Sequence, residues 1–208
     1  MPYPTTGSPT ELQAINQILA AVGQAPVTTL ERTNPDVAIC YDTLQQVSRE
    51  VQSEGWTFNR EYSYPFTPNG DSEIVYPPNV LQLDITTDPK YFNGKYYDTV
   101  KREGKLYDRR GHTFKFDETL YCDVKWWFDW DDLPLPIQMY IVTKATTKAA
   151  SQLIGDPEQY ELMLANEAYM RAMALEYETQ QGDYNYLYSP EYKNNYITYR
   201  PMQTLQRY

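Results

Sequence analysis

Residues 133–182, LPLPIQMYIVTKATTKAASQLIGDPEQYELMLANEAYMRAMALEYETQQG, decide the fold, because they read as two consecutive helices with punctuation between them. In the first, Ile137, Tyr140, Ile141, Lys144, Ala145, Lys148 and Ala149 recur at three- and four-residue spacing, from Pro134 to Leu153. Gly155 tolerates the left-handed backbone with which many helices stop. Asp156-Pro157-Glu158 then restarts the chain, with Asp as N-cap, Pro in the first turn and an acid at the positive end of the helix dipole. The second helix carries Tyr160, Leu162, Met163, Leu164, Met170, Met173, Ala174, Leu175 and Tyr177 and ends near Gly182. So short a break predicts an antiparallel helical hairpin.

The first quarter of the chain uses the same devices. Ser8-Pro9-Thr10-Glu11 predicts a helix capped by Ser8, with Glu11 completing a capping box. Leu12, Ile15, Ile18, Leu19 and Val22 share one face, and Gly23 ends the run. Asn34-Pro35-Asp36 opens a second helix with Val37, Tyr41, Leu44, Val47 and Val51 as its apolar stripe and Gly55 as its stop.

Between Trp56 and Phe128 the helical period disappears. Short runs predict strands at 74–76, 80–85, 96–101, 105–107, 113–116 and 120–128, with turns at Glu103-Gly104 and Arg110-Gly111. The expected class is α+β: a four-helix bundle-like domain (8–55 and 133–182), an inserted antiparallel β domain (56–132) and an extended Tyr-rich tail (183–208). That last segment has few aliphatic residues and no periodic pattern. Its Tyr184, Tyr186, Tyr188, Tyr192, Tyr196, Tyr199 and Tyr208 are candidate contacts to a partner or a neighbouring subunit.

Composition narrows the function. A net charge of −10 and a pI near 4.6 argue against a broad phosphate-binding surface and so against a nucleic-acid-binding protein. The densest basic run is Lys101-Arg102, Lys105 and Arg109-Arg110. Acids interrupt it, and it reads as a solvated hairpin edge. Cys40 and Cys122 read as reduced, buried thiols, and the chain reads as soluble, with neither a secretory signal nor a membrane span. His112 is the single histidine and falls in a turn, which leaves no His/Cys metal set and no Ser-His-Asp triad. Glycine-rich phosphate loops are absent, so no cofactor is expected. One enzymatic alternative is a glycan-binding or glycan-degrading site built from Asp129, Asp131 and Asp132 beside Trp126, Trp127 and Trp130. The same acids precede the helix at Pro134, where negative charge is favoured for structural reasons.

Several stretches in order along the chain carry a resemblance. These are Glu11-Leu12 with Asn16-Gln17-Ile18-Leu19-Ala20, Gly23, Pro26-Val27-Thr28-Thr29-Leu30-Glu31, and Gln52-Ser53-Glu54-Gly55-Trp56-Thr57-Phe58-Asn59. Tyr140-Ile141-Val142-Thr143-Lys144-Ala145, Gly155, Pro157-Glu158, and Glu176-Tyr177-Glu178 with Gly182, Tyr184 and Asn185 complete the set. Together they resemble the tail tubular protein A family of T7-like short-tailed bacteriophages. The resemblance implies a structural virion protein rather than an enzyme, made in the host bacterial cytoplasm. It further implies a homo-oligomeric adaptor ring of twelve copies under the portal protein, with the nozzle (tail tubular protein B) and tail fibres attached. Genomic DNA would pass through the ring without specific binding; the net charge of −10 per subunit adds the expectation that acidic side chains keep the lumen non-sticky.

Overall fold

The computed structural model describes residues 9–31, 33–86 and 97–182. Four helices, α1 (Glu11–Ala21), α2 (Pro35–Ser53), α3 (Leu135–Leu153) and α4 (Pro157–Gln181), flank a β region in sequence. Its strands are β1 (Arg60–Phe66), β2 (Val80–Ile85), β3 (Thr99–Arg102), β4 (Lys105–Asp108) and β5 (Leu120–Trp126). The class is α+β, as the two periodicities predict. One sheet has the order β1-β5-β2, antiparallel throughout, and β3-β4 forms a separate hairpin.

Two clusters of buried side chains lie under these elements. The helical cluster gathers Ile15, Ile18, Val37, Leu44, Val47, Ile137, Tyr140, Ile141 and Ala145. Trp56 and Trp130 join it from either end of the β stretch. The second cluster, under the sheet, holds Phe66, Ile74, Leu106, Phe116, Leu120, Cys122 and Val124. Two buried amides join the segments where the clusters meet. Gln52 Oε1 accepts from the Phe128 N–H (2.8 Å), and its Nε2 donates to the Phe128 carbonyl (3.1 Å) and to Ser48 Oγ (3.0 Å). Asn59 Oδ1 accepts from the Trp56 N–H (2.8 Å), while its Nδ2 donates to the carbonyls of Gln52 (2.8 Å) and Trp126 (2.9 Å).

Three local expectations are corrected. The cap of α1 is Thr10, not Ser8: Thr10 Oγ1 accepts from the Gln13 N–H and Gln13 Oε1 accepts from the Thr10 N–H, so Gln13 closes the box instead of Glu11. The Pro9 carbonyl is occupied by the Trp130 indole N–H at 2.9 Å, which holds Pro9 outside the helix. The segments at 74–76 and 113–116 form isolated bridges rather than strands. In exchange, β1 is a strand that the sequence hides. A bulge between Glu61 and Tyr64 puts Ser63 at φ 54°, with its N–H on Asp123 Oδ1, and this breaks the two-residue alternation that marks a strand. Pro65 is tolerated because β1 is an edge strand.

The Gly55 stop carries a prediction. Its φ is +81°, and Lys125 lies across it, donating from Nζ to the Ser53 and Glu54 carbonyls at the end of α2. A Cβ at residue 55 would stand 2.4 Å from Lys125 Cε. Gly55→Ala is therefore expected to cost about 1–2 kcal/mol, from the left-handed backbone and the lost carbonyl contacts. A fall in urea midpoint with unchanged slope checks it. Gly23→Ala, at a φ of +77° with open space around it, should show the backbone part alone.

A buried thiol and a half-buried phenol make the β region sensitive to alkali. Burial, reinforced by Asp123 and Asp84, pushes the Cys122 thiol up to about 12. Burial and the hydrogen bond that Tyr97 donates to Glu118 (3.0 Å) push the Tyr97 phenol up to about 12. Both pKa values are raised in the folded chain, so their stabilisation is fully present below the unfolded values of about 8.5 and about 10. It is lost as pH rises through the folded values. The urea midpoint should hold to about pH 8.5 and fall towards pH 12, and Cys122→Ala should remove part of that slope.

Candidate assembly surface

α4 begins where its cap predicts: Asp156 Oδ1 accepts from the Glu158 N–H, Pro157 occupies the first turn, and Gly182 closes the far end. α3 and α4 run antiparallel, since they meet at Gly155 and Arg171 reaches back to Tyr140. Apolar residues lie on every side of α4, interspersed with polar ones, so no single face stands out as the buried one. Yet of its 25 residues only Ala174 is buried.

Polar contacts hold the inner side of α4. Arg171 donates to the Tyr140 hydroxyl (3.0 Å) and forks onto Glu54 (3.4 and 3.2 Å). The Tyr140 oxygen, then Glu54, raise the Arg171 guanidinium above its ordinary value. Glu178 accepts from the Thr57 N–H at 2.9 Å and from the Thr57 hydroxyl at 2.6 Å, which pins the end of α4 to the start of the β region. Lys148 and Lys144 pair with Glu50 and tie α3 to α2, and the Lys148 hydrogen bond holds the Glu50 carboxyl below the usual range.

The outer side of α4 is uncovered by the described residues. Ala165, Ala168 and Ala172, three and four residues apart, form an exposed row of small residues there, which Glu161 and Glu176 continue at either end. Leu162, Tyr169 and Met173 flank the row on one side, with Leu162 at 74% and Tyr169 at 60% exposure. Leu164 and Leu175 flank it on the other, and Leu153 and Ile154 add exposed apolar area at the α3–α4 turn. Small residues between ridges of large ones are what a second helix or an extended segment needs for close approach. So much exposed aliphatic and aromatic surface on one helix marks an interaction site.

The other expected sites fare differently. Tyr184, Tyr186, Tyr188, Tyr192, Tyr196, Tyr199 and Tyr208 lie outside the described residues. The Trp126–Asp132 cluster is divided: Trp126 packs on the sheet cluster and donates to Glu61 (3.0 Å), whereas Trp130 is buried in the helical cluster. Asp129, Asp131 and Asp132 are exposed around the 3-10 turn that leads into α3. The basic run sits on the β3–β4 hairpin and its flank, where Lys105 pairs with Glu73 and Arg109 with Asp98. Lys101 and Arg102 lie over the rings of Tyr76 and Tyr107. His112 occupies the Asp108–Thr113 turn at φ 50° and is exposed. No group of three or more His, Cys, Asp or Glu among the described residues is placed to hold a metal ion. No helix among them is long and apolar enough to cross a membrane.

A helix with so little of its surface buried, on a small α+β scaffold, is a candidate contact surface. The sequence model of the tail tubular protein family matches residues 12–184, and the chain belongs to that family of bacteriophage tail structural proteins. It is similar to tail tubular protein A of Klebsiella phage KP34, at 28% identity over 151 residues, which span 72% of this chain and 76% of that protein.

Proposed function

We propose that this chain is the adaptor subunit of a short phage tail, one of twelve copies in a ring that joins the portal to the nozzle (tail tubular protein B) and carries the tail fibres. The observation that carries the reading is the outer face of α4, a helix of 25 residues with one buried side chain in a protein of the tail tubular family. In this reading the helical unit (8–55 and 133–182) packs side by side around the ring. A heterologous contact of that kind closes when its rotation divides a full turn. The β unit (56–132) offers the outer or lower contact surface, and the Tyr-rich 183–208 segment docks on the portal or on a neighbouring subunit. The role is structural, with no catalytic step and no cofactor. Acidic side chains on the lumen would keep DNA from adhering, a repulsion screened beyond about 10 Å at 0.1 M salt.

Sedimentation velocity of the chain mixed with the portal ring of the same virus tests the reading, full length and cut after Gly182. Among the described residues both buried clusters lie before residue 182, and the cut leaves those residues in the chain. We expect a large shared species that weakens with the cut. Full-length chain that never joins the portal would overturn the adaptor role.

A further inference from the structure

Charge is unevenly placed along this chain. Residues 99–115 carry six cations, Lys101, Arg102, Lys105, Arg109, Arg110 and Lys115, against Glu103 and Asp108, a net +4 in a chain of −10. α4 carries five acids, Glu158, Glu161, Glu167, Glu176 and Glu178, against Arg171, a net −4. We propose that the β3–β4 hairpin of one copy docks on the outer side of α4 in the next copy. This rests on the reading of that side as the assembly contact, and it names what meets it: a piece of the neighbour's β region rather than a second helix.

The hairpin has a face that suits an acidic, partly apolar partner. In the β3–β4 register Arg102 stands opposite Lys105 and Val100 opposite Tyr107. Directly opposed residues share a face of a sheet, and Leu106 and Asp108 are buried on the other face. Val75 is bridged to Lys105 and is 59% exposed, and Phe114 packs edge-on against Tyr107 with centroids 4.9 Å apart. The outward face therefore combines apolar groups with cations at its tip. Arg102 Cζ lies 4.1 Å from the centre of the Tyr107 ring, and Lys101 Nζ lies 4.5 Å from that of Tyr76. A ring orients a cation without cancelling its charge, whereas Lys105 and Arg109 already face the carboxylates of Glu73 and Asp98. Lys101 and Arg102 thus hold full positive charge at an exposed tip.

α4 has the complement. Glu161 and Glu176 close the two ends of the row of alanines, about 22 Å apart at 1.5 Å per residue. The small side chains between them let a flat sheet face come close, and Leu162, Tyr169 and Met173 beside them match the apolar area of Val75, Tyr107 and Phe114.

The placement of the two surfaces selects a second copy as the occupant. Leu106 of β4 belongs to the cluster under the sheet and Ala174 of α4 to the helical cluster, so the surfaces ride on separate parts of the fold. Two complementary patches at separate places on one chain make a heterologous contact, which repeats from copy to copy and can close into a ring.

Charge reversal in a mixture tests the contact, read by sedimentation velocity with the portal ring. One full-length variant carries Lys101→Glu and Arg102→Glu, and the other Glu161→Lys and Glu176→Lys, all at exposed positions. Each variant alone sets like charges together and is expected to enter the portal-bound species at least about 10-fold more weakly than the parent. Copies that alternate between the two variants make every contact attractive again, so an equal mixture should recover most of the parent's association. Variants that each assemble like the parent, or folded variants whose mixture does no better than its components, would overturn the proposal. Salt-sensitive binding of duplex DNA by the parent, lost on Lys101→Glu, Arg102→Glu with portal association unchanged, would assign the hairpin to nucleic acid instead. Carbodiimide crosslinking of the parent needs no variant. Heavy-isotope-labelled and unlabelled copies are mixed, alone at high concentration and with the portal ring, and linked peptides are mapped by mass spectrometry. We expect amide links from Lys101 or Lys105 to Glu161 or Glu176 that join a labelled copy to an unlabelled one. Their absence under both conditions would overturn the contact. Parent chain that forms these links but never joins the portal would overturn the adaptor role and leave the contact standing.

Discussion

A Leu162→Glu, Tyr169→Glu double variant is expected to melt within about 3 °C of the parent and yet to be excluded from the adaptor–portal species. Both side chains are more than half exposed in the single chain. Surface changes of this kind shift stability by about 0.5 kcal/mol or less each, and the helix contacts made by Ala174, Arg171 and Glu178 stay intact. At an interface the same carboxylates would lose water without gaining partners, at a cost of several kcal/mol. Two such losses per contact correspond to a weakening of at least about 100-fold. Thermal unfolding and sedimentation velocity with the portal ring measure the two quantities separately. Co-sedimentation equal to that of the parent would remove the outer face of α4 from the assembly contact. Leu162→Ala should fall between the two, because it shortens the ridge without adding charge.

The second large effect is on folding. Asn59 is fully buried and satisfies three backbone groups at once: the Trp56 N–H and the carbonyls of Gln52 and Trp126. Asn59→Leu keeps the branched side-chain shape but takes the amide away from the Trp56 N–H and the Trp126 carbonyl, while the Gln52 carbonyl keeps the Gly55 N–H at 3.1 Å. An unsatisfied buried group costs about 1–3 kcal/mol. Part of the loss is recovered by local relaxation, so about 3 kcal/mol is expected overall. For a chain of this length that lowers Tm by about 9 °C. Gln46→Leu, on the exposed side of α2, should stay within about 0.5 kcal/mol of the parent. A Tm change below about 3 °C for Asn59→Leu would mean that the amide does not join the two parts of the fold. The expected pattern also includes earlier exposure of Trp56 and Trp130 to quenchers, since Asn59 closes the turn through which the chain leaves the helical cluster.

Much of the architecture was legible before any coordinates. Asn34 and Asp156 cap the helices that they were expected to cap, because an Asx side chain followed by proline satisfies the first free N–H groups and presets the first turn. Glu103-Gly104 makes the β3–β4 hairpin, with both residues at positive φ. Local signals failed where a distant group intervened. Ser8 lost the cap of α1 to Thr10 because Trp130 holds the Pro9 carbonyl. The strand β1 was hidden because its bulge at Ser63 is fixed by Asp123 on another strand.

The candidate site was legible only in part. The apolar residues of α4 were visible in the sequence as those of the second helix of an antiparallel hairpin. Only Ala174, with Met170 beside it, enters the core among the described residues, and Arg171 and Glu178 fix the helix by polar contacts. The Trp–Asp cluster shows the opposite case, since residues adjacent in sequence were sent to two different clusters by the turn at Trp130.

The sequence alone determined the four helices, their boundaries at Gly23, Gly55 and Gly155, the α+β class and the family. These follow from periodicity, capping and ordered motifs, all of which act over a few residues. Tertiary structure alone decided which apolar residues are used up in folding and which remain for another molecule. Burial depends on what arrives from far along the chain, as with Trp130 on Pro9, Asn59 on Trp126 and Thr57 on Glu178. No local pattern distinguishes an aliphatic ridge that meets α3 from one that meets solvent.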